Sequence, residues 1–442
     1  MTEHADYFNK SRETMSLDEM RRLQNEKLTG AIVRGYHRAP VIRELWDAAE
    51  ITPDDVQTIA DLEKAPVFRK DNARQRMLEL GEPYGGRLTK SLDEISEGSG
   101  GYIGTSSGTT GVPTNLVLSA EDLEHFSKIS ARIQWEEGLR PGDVSIVSYP
   151  PQHPVTKGDQ GGAQIIGATP TQIGHHPDEA FRFVHALEHL KPKTFRIVSG
   201  PLIGALNAYF DEEGIEPKEL FEPVKSVAWG GEPLIESVKR DVEENWGVEM
   251  FNQAGGFEPM WLTETCSAKD EWMHVADDHF FVEAVDPETG DRVEEGERGE
   301  MLITALSYEA MSHIRFAHDD ICEVRRGTCD CGRTGTQMKV LGRVGDVVTV
   351  GGNDLLPIDV TRAVQFMEEL PNNTFQFYPD SKEVLRLRLG CPEGSDADAL
   401  SKAVRDKVES EVGVPVEVVD TMPEEEMMDL GPGHKFPRIV NE

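Results

Sequence analysis

The sequence predicts an α/β protein with a large N-terminal domain, a β appendage on that domain, and a small C-terminal α+β domain. Three observations predict this. Short apolar runs alternate with helical patterns between about 143 and 232. From 279 to 350 the pattern turns to hairpins, and 351–442 reads as a compact mixture of strands and helices. The 442 residues suffice for two or three domains with a large core. A boundary near "GRVGDVVTVGG" gives a large domain over 1–343 and a small one over 344–442.

Taken in order, residues 1–75 read as mostly helical, most clearly in "SLDEMRRLQNEKLTGAIVRGYHR", where apolar residues recur at spacings of three and four. "GEPYGG" and "SEGSGGYIG" are Gly-rich connections. "SAEDLEHFSKISARIQWEE" reads as a helix, with Ser119 and Asp122 as a capping box. "DVSIVSYP", "AQIIGATPTQIG", "KTFRIVSG" and "VKSVAWGGEPL" read as buried strands, separated by the helical "PDEAFRFVHALEHL" and "PLIGALNAYFDEEG". "HFFVEAVDPETGDRVEEGERGEMLITAL" holds two strands joined by turn residues. In the tail, "DVTRAVQFMEEL" and "DADALSKAVRDKVESEV" are helical, while "TFQFYP", "VLRLRLG" and "PVEVVD" are strands.

The chain has 80 acidic and 45 basic residues, a formal net charge of −35. That balance disfavours nucleic acid and anionic membranes as partners, and it points to a salt-rich host. The start has no basic segment followed by an apolar one, and no apolar run approaches membrane-spanning length. Five cysteines, three of them crowded at 322–331, do not form a secreted disulfide pattern. These features place the chain in the cytoplasm. The charge also means that a polyanionic substrate would need a locally positive or metal-assisted site.

"TSSGTTGVPT", 105–114, is rich in Ser, Thr and Gly and sits between two strand-like segments. Its backbone N–H groups and hydroxyls could wrap an anion, with glycine permitting close approach. It lacks the Gly-Lys-Ser/Thr of a Walker A loop, since Pro113 and Thr114 stand there. Read alone, the stretch fits a flexible linker equally well.

"SSGTTGVPT" resembles the phosphate-binding loop of the adenylate-forming superfamily of acyl-CoA synthetases. Its ending in Thr instead of Lys resembles the phenylacetate-CoA ligase branch. Further motifs follow in the family's order over nearly the whole chain. "WGGEPL" (229–234) resembles the turn beside adenine. "AGGFE" (254–258) resembles the motif whose glutamate holds Mg²⁺, here Glu258, with Ala254 where an aromatic ring is usual and Phe257 where threonine is usual. "RFAHDDI" (315–321) resembles the ribose-binding motif, with Asp320 on the hydroxyls and Asp319 where glycine is usual. "GRVGDVVTVGGNDLLP" (342–357) resembles the hinge, with Arg343 toward ribose or phosphate and Gly345, followed by Asp346, where an aspartate pivot is usual. "GPGHKFPRIV" (431–440) resembles the terminal Gly-Lys-x-x-Arg motif, making Lys435 the adenylation lysine.

The resemblance implies the adenylate-forming enzyme fold with a mobile C-terminal lid. It implies activation of a carboxylic acid by ATP with Mg²⁺, then transfer to CoA. Catalysis would rest on Lys435 and Glu258. Nucleotide would be held by Ser106, Ser107, Gly108, Thr109, Thr110, Gly111 and Thr114, by Gly230, Gly231, Glu232 and Pro233, and by Asp320 and Arg343. Lys435, Arg343 and Mg²⁺ would make one positive pocket in an acidic protein.

Cys266 and His274, with Cys329 and Cys331 in "TCDCGRTG", suit a closed tetrahedral zinc site, although buried free cysteines are common. Relatives in the branch carry similar pairs, so the resemblance implies a structural zinc that ties distant β segments. Cys322 is the reserve ligand, and Cys391 is read as structural. For the acid, Tyr149, Trp229, Ile165 and Ile166 offer an apolar wall, and Gly161 and Gly162 would let a flat ring approach the backbone. His153, His175 and His176 read as surface or turn residues. An aromatic or compact acid follows, without its identity.

The implied partners are a small carboxylic acid, ATP and CoA, with a homodimer as an admitted assembly. Two other readings stand beside this one. An adenylating enzyme could hand its acyl group to a carrier-protein thiol or an amine. A non-catalytic nucleotide- or acyl-binding protein would fit the departures at Ala254, Phe257, Asp319 and Gly345, but not the retention of Glu258, Asp320, Arg343 and Lys435.

Overall fold

A computed structural model describes residues 7–106, 113–149, 153–174, 177–198, 200–231, 233–268, 270–428, 430 and 437–440. Its centre is an eleven-stranded sheet among these residues. One half is parallel: Glu249–Gly256, Ser226–Trp229, Thr194–Val198, Val144–Val147 and Thr169–Gln172 lie side by side in that order. Helices Ala180–Leu190, Gly200–Glu213 and Glu236–Trp246 cover it, and Phe183, Phe195, Phe210, Phe221, Trp229 and Trp246 share one core. The other half is antiparallel. From Glu249–Gly256 it continues through Trp261–Glu264, Met273–His274, Thr334–Arg343, Phe316–Thr328 and Arg298–Ala305 to Phe280–Val285. Strand Glu249–Gly256 is therefore where the sheet changes direction.

Local chemistry explains the flanking helices. Leu17–Arg38 starts at Ser16, whose hydroxyl accepts from the Glu19 N–H while the Glu19 carboxylate accepts from the Ser16 N–H. Ala120–Glu136 starts at Ser119 with the same reciprocal bond to Asp122, as the sequence predicts. A separate hairpin, Gly101–Thr105 with Asn115–Ser119, brackets the Ser/Thr/Gly-rich loop.

One expected strand is different. The first half of "AQIIGATPTQIG" is the end of helix Pro154–Ile166, and only Thr169–Gln172 is strand. Proline at the first helical position and the His153 ring accepting from the Val155 N–H start that helix. Gly158, Gly161 and Gly162 face helix Ala120–Glu136. A Cβ on them would run into Phe126, Ser127 and Ser130. Close helix packing, rather than chain breaking, is what these glycines provide.

The C-terminal strands Phe375–Tyr378, Leu385–Cys391 and Val416–Pro423 form a three-stranded sheet under helices Pro357–Val364 and Ala397–Val412. Helix Pro357–Val364 ends earlier than "DVTRAVQFMEEL" suggests. This region has its own core, including Val360, Val364, Phe375, Phe377, Leu387 and Val404. It meets the larger part through Leu356 and Ile358 against Ile321 and Leu341, and through Arg298, which donates to both Asp359 oxygens at 2.6 and 2.9 Å. Among the described residues, no helix is long and apolar enough to cross a membrane.

Candidate active site

The loop at 106–114 is closed at its base. The Ser106 N–H donates to the Thr114 carbonyl at 2.9 Å, and the Thr114 N–H donates to the Ser106 hydroxyl at 2.9 Å. The Thr105 hydroxyl donates to the Asn115 side-chain carbonyl at 3.0 Å. Ser106 and Thr114 thus set the loop's width. Ser107, Gly108, Thr109, Thr110 and Gly111 lie outside the described residues.

Next to this base is a side chain that the sequence reading missed. Arg87 is 0% exposed. Its guanidinium donates to the Asn115 carbonyl at 2.9 Å and the Tyr84 carbonyl at 3.1 Å, and it meets Glu258 Oε2 at 2.8 Å. Glu258 is 4% exposed, and its other oxygen, Oε1, is buried without a hydrogen-bond partner among the described residues. A carboxylate oxygen spared in this way is a fitting protein ligand for a hard cation such as Mg²⁺. The only hint in the sequence was "GEPYGG" directly before Arg87. Gly85 and Gly86 have φ of +59° and +68°, and this tight turn delivers the arginine inward.

Asp320 and Arg343 are direct partners across neighbouring strands, with Arg343 Nε 3.0 Å from Asp320 Oδ1. His318 Nδ1 pairs with the other Asp320 oxygen. Burial alone would raise the Asp320 pKa, yet His318 and Arg343 hold it below the usual carboxylate range. His318 packs edge-on against Trp261 at 5.3 Å and under Gly256, where a Cβ would strike the imidazole. His318 was also missed, although it lies inside the quoted motif. Asp319 has φ +66°, the left-handed conformation that explains why glycine is usual there, and its carboxylate pairs with Lys70 at 2.7 Å. Gly230 is buried at the end of strand Ser226–Trp229, and Gly231 turns the chain at φ +104° beside Pro233. Glu232 lies outside the described residues.

The expected acid-binding residues divide. Tyr149 and His153 stack at 6.3 Å, and His153 meets Phe257 edge-on at 5.7 Å, so the three form a row. Phe257 and Pro154 close over Gly104, within 3.1 and 3.2 Å of where its Cβ would be. Burial lowers the His153 pKa to about 4, so this ring is neutral. The Tyr149 hydroxyl donates to Gln253. The others lie elsewhere. Trp229 belongs to the core under the parallel strands, Ile165 is 42% exposed, and Ile166 packs with Ala131 and Leu139. Gly161 and Gly162 face a helix, which corrects the expectation that a ring approaches them.

Gly345 and Asp346 lie in a short 3₁₀ turn, Val344–Asp346, with open space around Gly345. Burial raises the Asp346 pKa, partly offset by Arg343. Lys435 lies outside the described residues. The residues after it are anchored: the Phe377 N–H donates to the Arg438 carbonyl at 2.7 Å, and the Val440 N–H returns to the Phe377 carbonyl at 2.9 Å.

Cys266, His274, Cys329 and Cys331 converge, with their ligand atoms all within 4.8 Å of one another. Cys266 Sγ and Cys329 Sγ are 3.7 Å apart, and Cys331 Sγ is 3.4 Å from His274 Nε2. Two thiolates on a tetrahedral zinc would be about 3.8 Å apart, so the donor set fits that ion. Cys322 is buried away from the cluster in the main core, and Cys391 lies in the C-terminal sheet.

Residues 21–307 match the family of AMP-binding enzymes, and the chain belongs to that family. It is 28% identical over 364 residues to phenylacetate-coenzyme A ligase of Thermus thermophilus, covering 81% of this chain and 78% of that protein. It is 26% identical over 366 residues to phenylacetate-coenzyme A ligase of Escherichia coli K12, covering 81% and 79%. Its fold is that of adenylate-forming enzymes. It superposes on 2-hydroxyisobutyryl-CoA ligase in the postadenylation state with a TM-score of 0.85 at 22% identity, covering 100% of this chain and 94% of that one. Against the same ligase in its thioesterification state the TM-score is 0.72 at 24% identity, covering 99% and 92%.

Proposed function

We propose that this chain is an AMP-forming acid–CoA ligase acting on an aromatic or compact carboxylic acid. The observation that carries this reading is that one buried guanidinium holds both the base of the Ser/Thr/Gly-rich loop and the carboxylate of Glu258. That arrangement suits a nucleotide triphosphate far better than it suits a linker. The names of the sequence relatives support CoA as acceptor. The Tyr149–His153–Phe257 row supports a flat acid, with His153 serving as a neutral wall.

In this reading the loop N–H groups and hydroxyls take the β- and γ-phosphates. Asp320, oriented by His318 and Arg343, accepts from the ribose hydroxyls. Mg²⁺, when bound, would neutralise phosphate charge with Glu258 Oε1 as its protein ligand. A carboxylate oxygen of the acid forms a bond to the α-phosphorus, the bond to the bridging oxygen breaks, and pyrophosphate leaves. Lys435 would stabilise the negative charge that develops as the two anions react. Residues 344–442 then swing about Gly345 and Asp346, removing Lys435. The CoA sulfur attacks the acyl carbon, and AMP leaves.

Pyrophosphate release across a panel of aryl and alkyl acids, with and without CoA, tests the reading. Acid-dependent release together with a CoA thioester is the expected outcome. Release without a thioester would point to a carrier-protein or amine acceptor, and ATP binding without release would point to a binding protein. Lys435→Ala should abolish adenylation yet spare thioester formation from supplied acyl-adenylate. Equal loss of both steps contradicts the swing.

We read the Cys/His cluster as a structural zinc site that ties the segment after strand Trp261–Glu264 to the turn between Phe316–Thr328 and Thr334–Arg343. About one equivalent of zinc should copurify, and stripping it should lower the melting temperature. Less than about a tenth of an equivalent in unchelated protein would end this assignment.

A further inference from the structure

Glu258 is not a free carboxylate waiting for a cation. One oxygen is already in an ion pair with Arg87 at 2.8 Å, and the other is buried with no hydrogen-bond partner among the described residues. Arg87 itself has little freedom, because the Tyr84 and Asn115 carbonyls fix its guanidinium plane and the Gly85–Gly86 turn fixes its backbone. Its backbone carbonyl also accepts from the Ser312 N–H at 2.9 Å. His313, adjacent to that bond, is buried and neutral: desolvation and then the Arg87 charge hold its pKa well below the ordinary value. The positive charge on this side of Glu258 therefore comes from Arg87.

We propose that Arg87 is a positioning residue that makes Glu258 a one-oxygen ligand and so sets the site's preference for Mg²⁺ over larger cations. The proposal rests on the adenylation reading above. Mg²⁺ demands near-octahedral geometry and takes carboxylates through single oxygens, whereas Ca²⁺ accepts both oxygens of one carboxylate in a looser shell. With Oε2 held by Arg87, the two-oxygen mode is closed and Oε1 has a fixed direction. Partners that orient metal ligands in this way typically control metal affinity by one to two orders of magnitude. Arg87 also links that direction to the loop, because the Asn115 carbonyl it holds lies one residue beyond the loop's base.

The test is equilibrium binding of ATP without acid, so that no chemistry follows. ATP binding is titrated calorimetrically against Mg²⁺ and against Ca²⁺ in the full chain, for wild type, Arg87→Lys and Arg87→Met. Wild type should need much less Mg²⁺ than Ca²⁺ for half-saturation. Arg87→Met should lower that discrimination by about tenfold, mainly by weakening Mg²⁺. Arg87→Lys, which keeps the charge but not the fixed plane, should fall between the two. Arg87→Met leaves a buried carboxylate unpaired; should it fail to fold, Arg87→Lys carries the test alone. Folded Arg87 variants with a lower melting temperature but the wild-type Mg²⁺/Ca²⁺ ratio would overturn the role of Arg87 and leave adenylation standing. Wild-type ATP binding with no divalent-cation dependence would instead overturn the reading on which the proposal rests.

Discussion

Arg87 and Arg196 are both 0% exposed and both bind carboxylates, but in opposite charge balance. Among the described residues, Arg87 meets one carboxylate, Glu258, and leaves one of its oxygens unpartnered. Arg196 sits among three. It pairs with Glu137, with Asp159 at 3.1 Å, and with Glu264 at 3.8 Å. One arginine cannot neutralise three buried anions, and the surplus is removed by protonation. Burial first, then the neighbouring Glu137 charge, raise the Glu264 pKa far above the carboxylate range. The Arg196 cluster is thus closed by charge rather than by hydrogen bonds: Ser130 donates to Asp159, Gln134 to the Asp159 carbonyl and Gln253 to Glu264, while Glu137 Oε2 and Glu264 Oε1 are buried with no hydrogen-bond partner among the described residues. The Arg87 pair remains open on one side.

The largest effect should come from breaking the closed cluster. Arg196→Met strands Glu137 and Asp159 without a counter-charge, and should cost about 3–5 kcal/mol, or prevent folding, read from the urea midpoint. A loss below about 1 kcal/mol would show that the carboxylates were neutral already. A smaller effect concerns a half-buried group whose pKa is shifted by desolvation. His153 has its folded pKa lowered to about 4 by burial, from an ordinary 6.5. Protonation thus favours the unfolded chain. His153's contribution is intact above pH 6.5 and is lost as pH falls toward 4, at about 1.4 kcal/mol per pH unit. Replacing it (His153→Gln) should make stability fall less steeply between pH 6.5 and 5, whereas parallel curves would contradict a neutral half-buried ring. The smallest effect should come from Glu264→Gln. With a proton already on Glu264, the amide replaces a neutral group, and stability should change by less than about 1 kcal/mol in the same assay. A large loss there would mean that Glu264 is charged and that the cluster is not closed.

Much of the fold was legible because its signals are local. Ser119 and Asp122 announce a helix start, and the tail's alternating patterns give its strands. Helix Pro154–Ile166 was misread because its apolar end, "AQII", reads as strand, and its glycines show their packing role only once the neighbouring helix lies against them. Asp320 and Arg343 were singled out by motif, and their pairing with each other follows from strand register. Arg87 was not found. It lies far from Glu258 in sequence, and an arginine after a Gly-Gly turn ordinarily reads as solvated surface. Trp229 was misassigned for the opposite reason: an aromatic beside a motif looks like a pocket wall, but strand Ser226–Trp229 is itself core.

The Cys/His cluster has a temporal consequence. Its four donors come from after strand Trp261–Glu264, from strand Met273–His274, and from the turn joining Phe316–Thr328 to Thr334–Arg343. Gln337 and Met338 pair with His274 and Met273, so the donors meet where these strands join. An ion held by all four would therefore report that these strands have come together. The rate of metal uptake during refolding would then serve as a clock for the step that brings the Asp320–Arg343 edge into register.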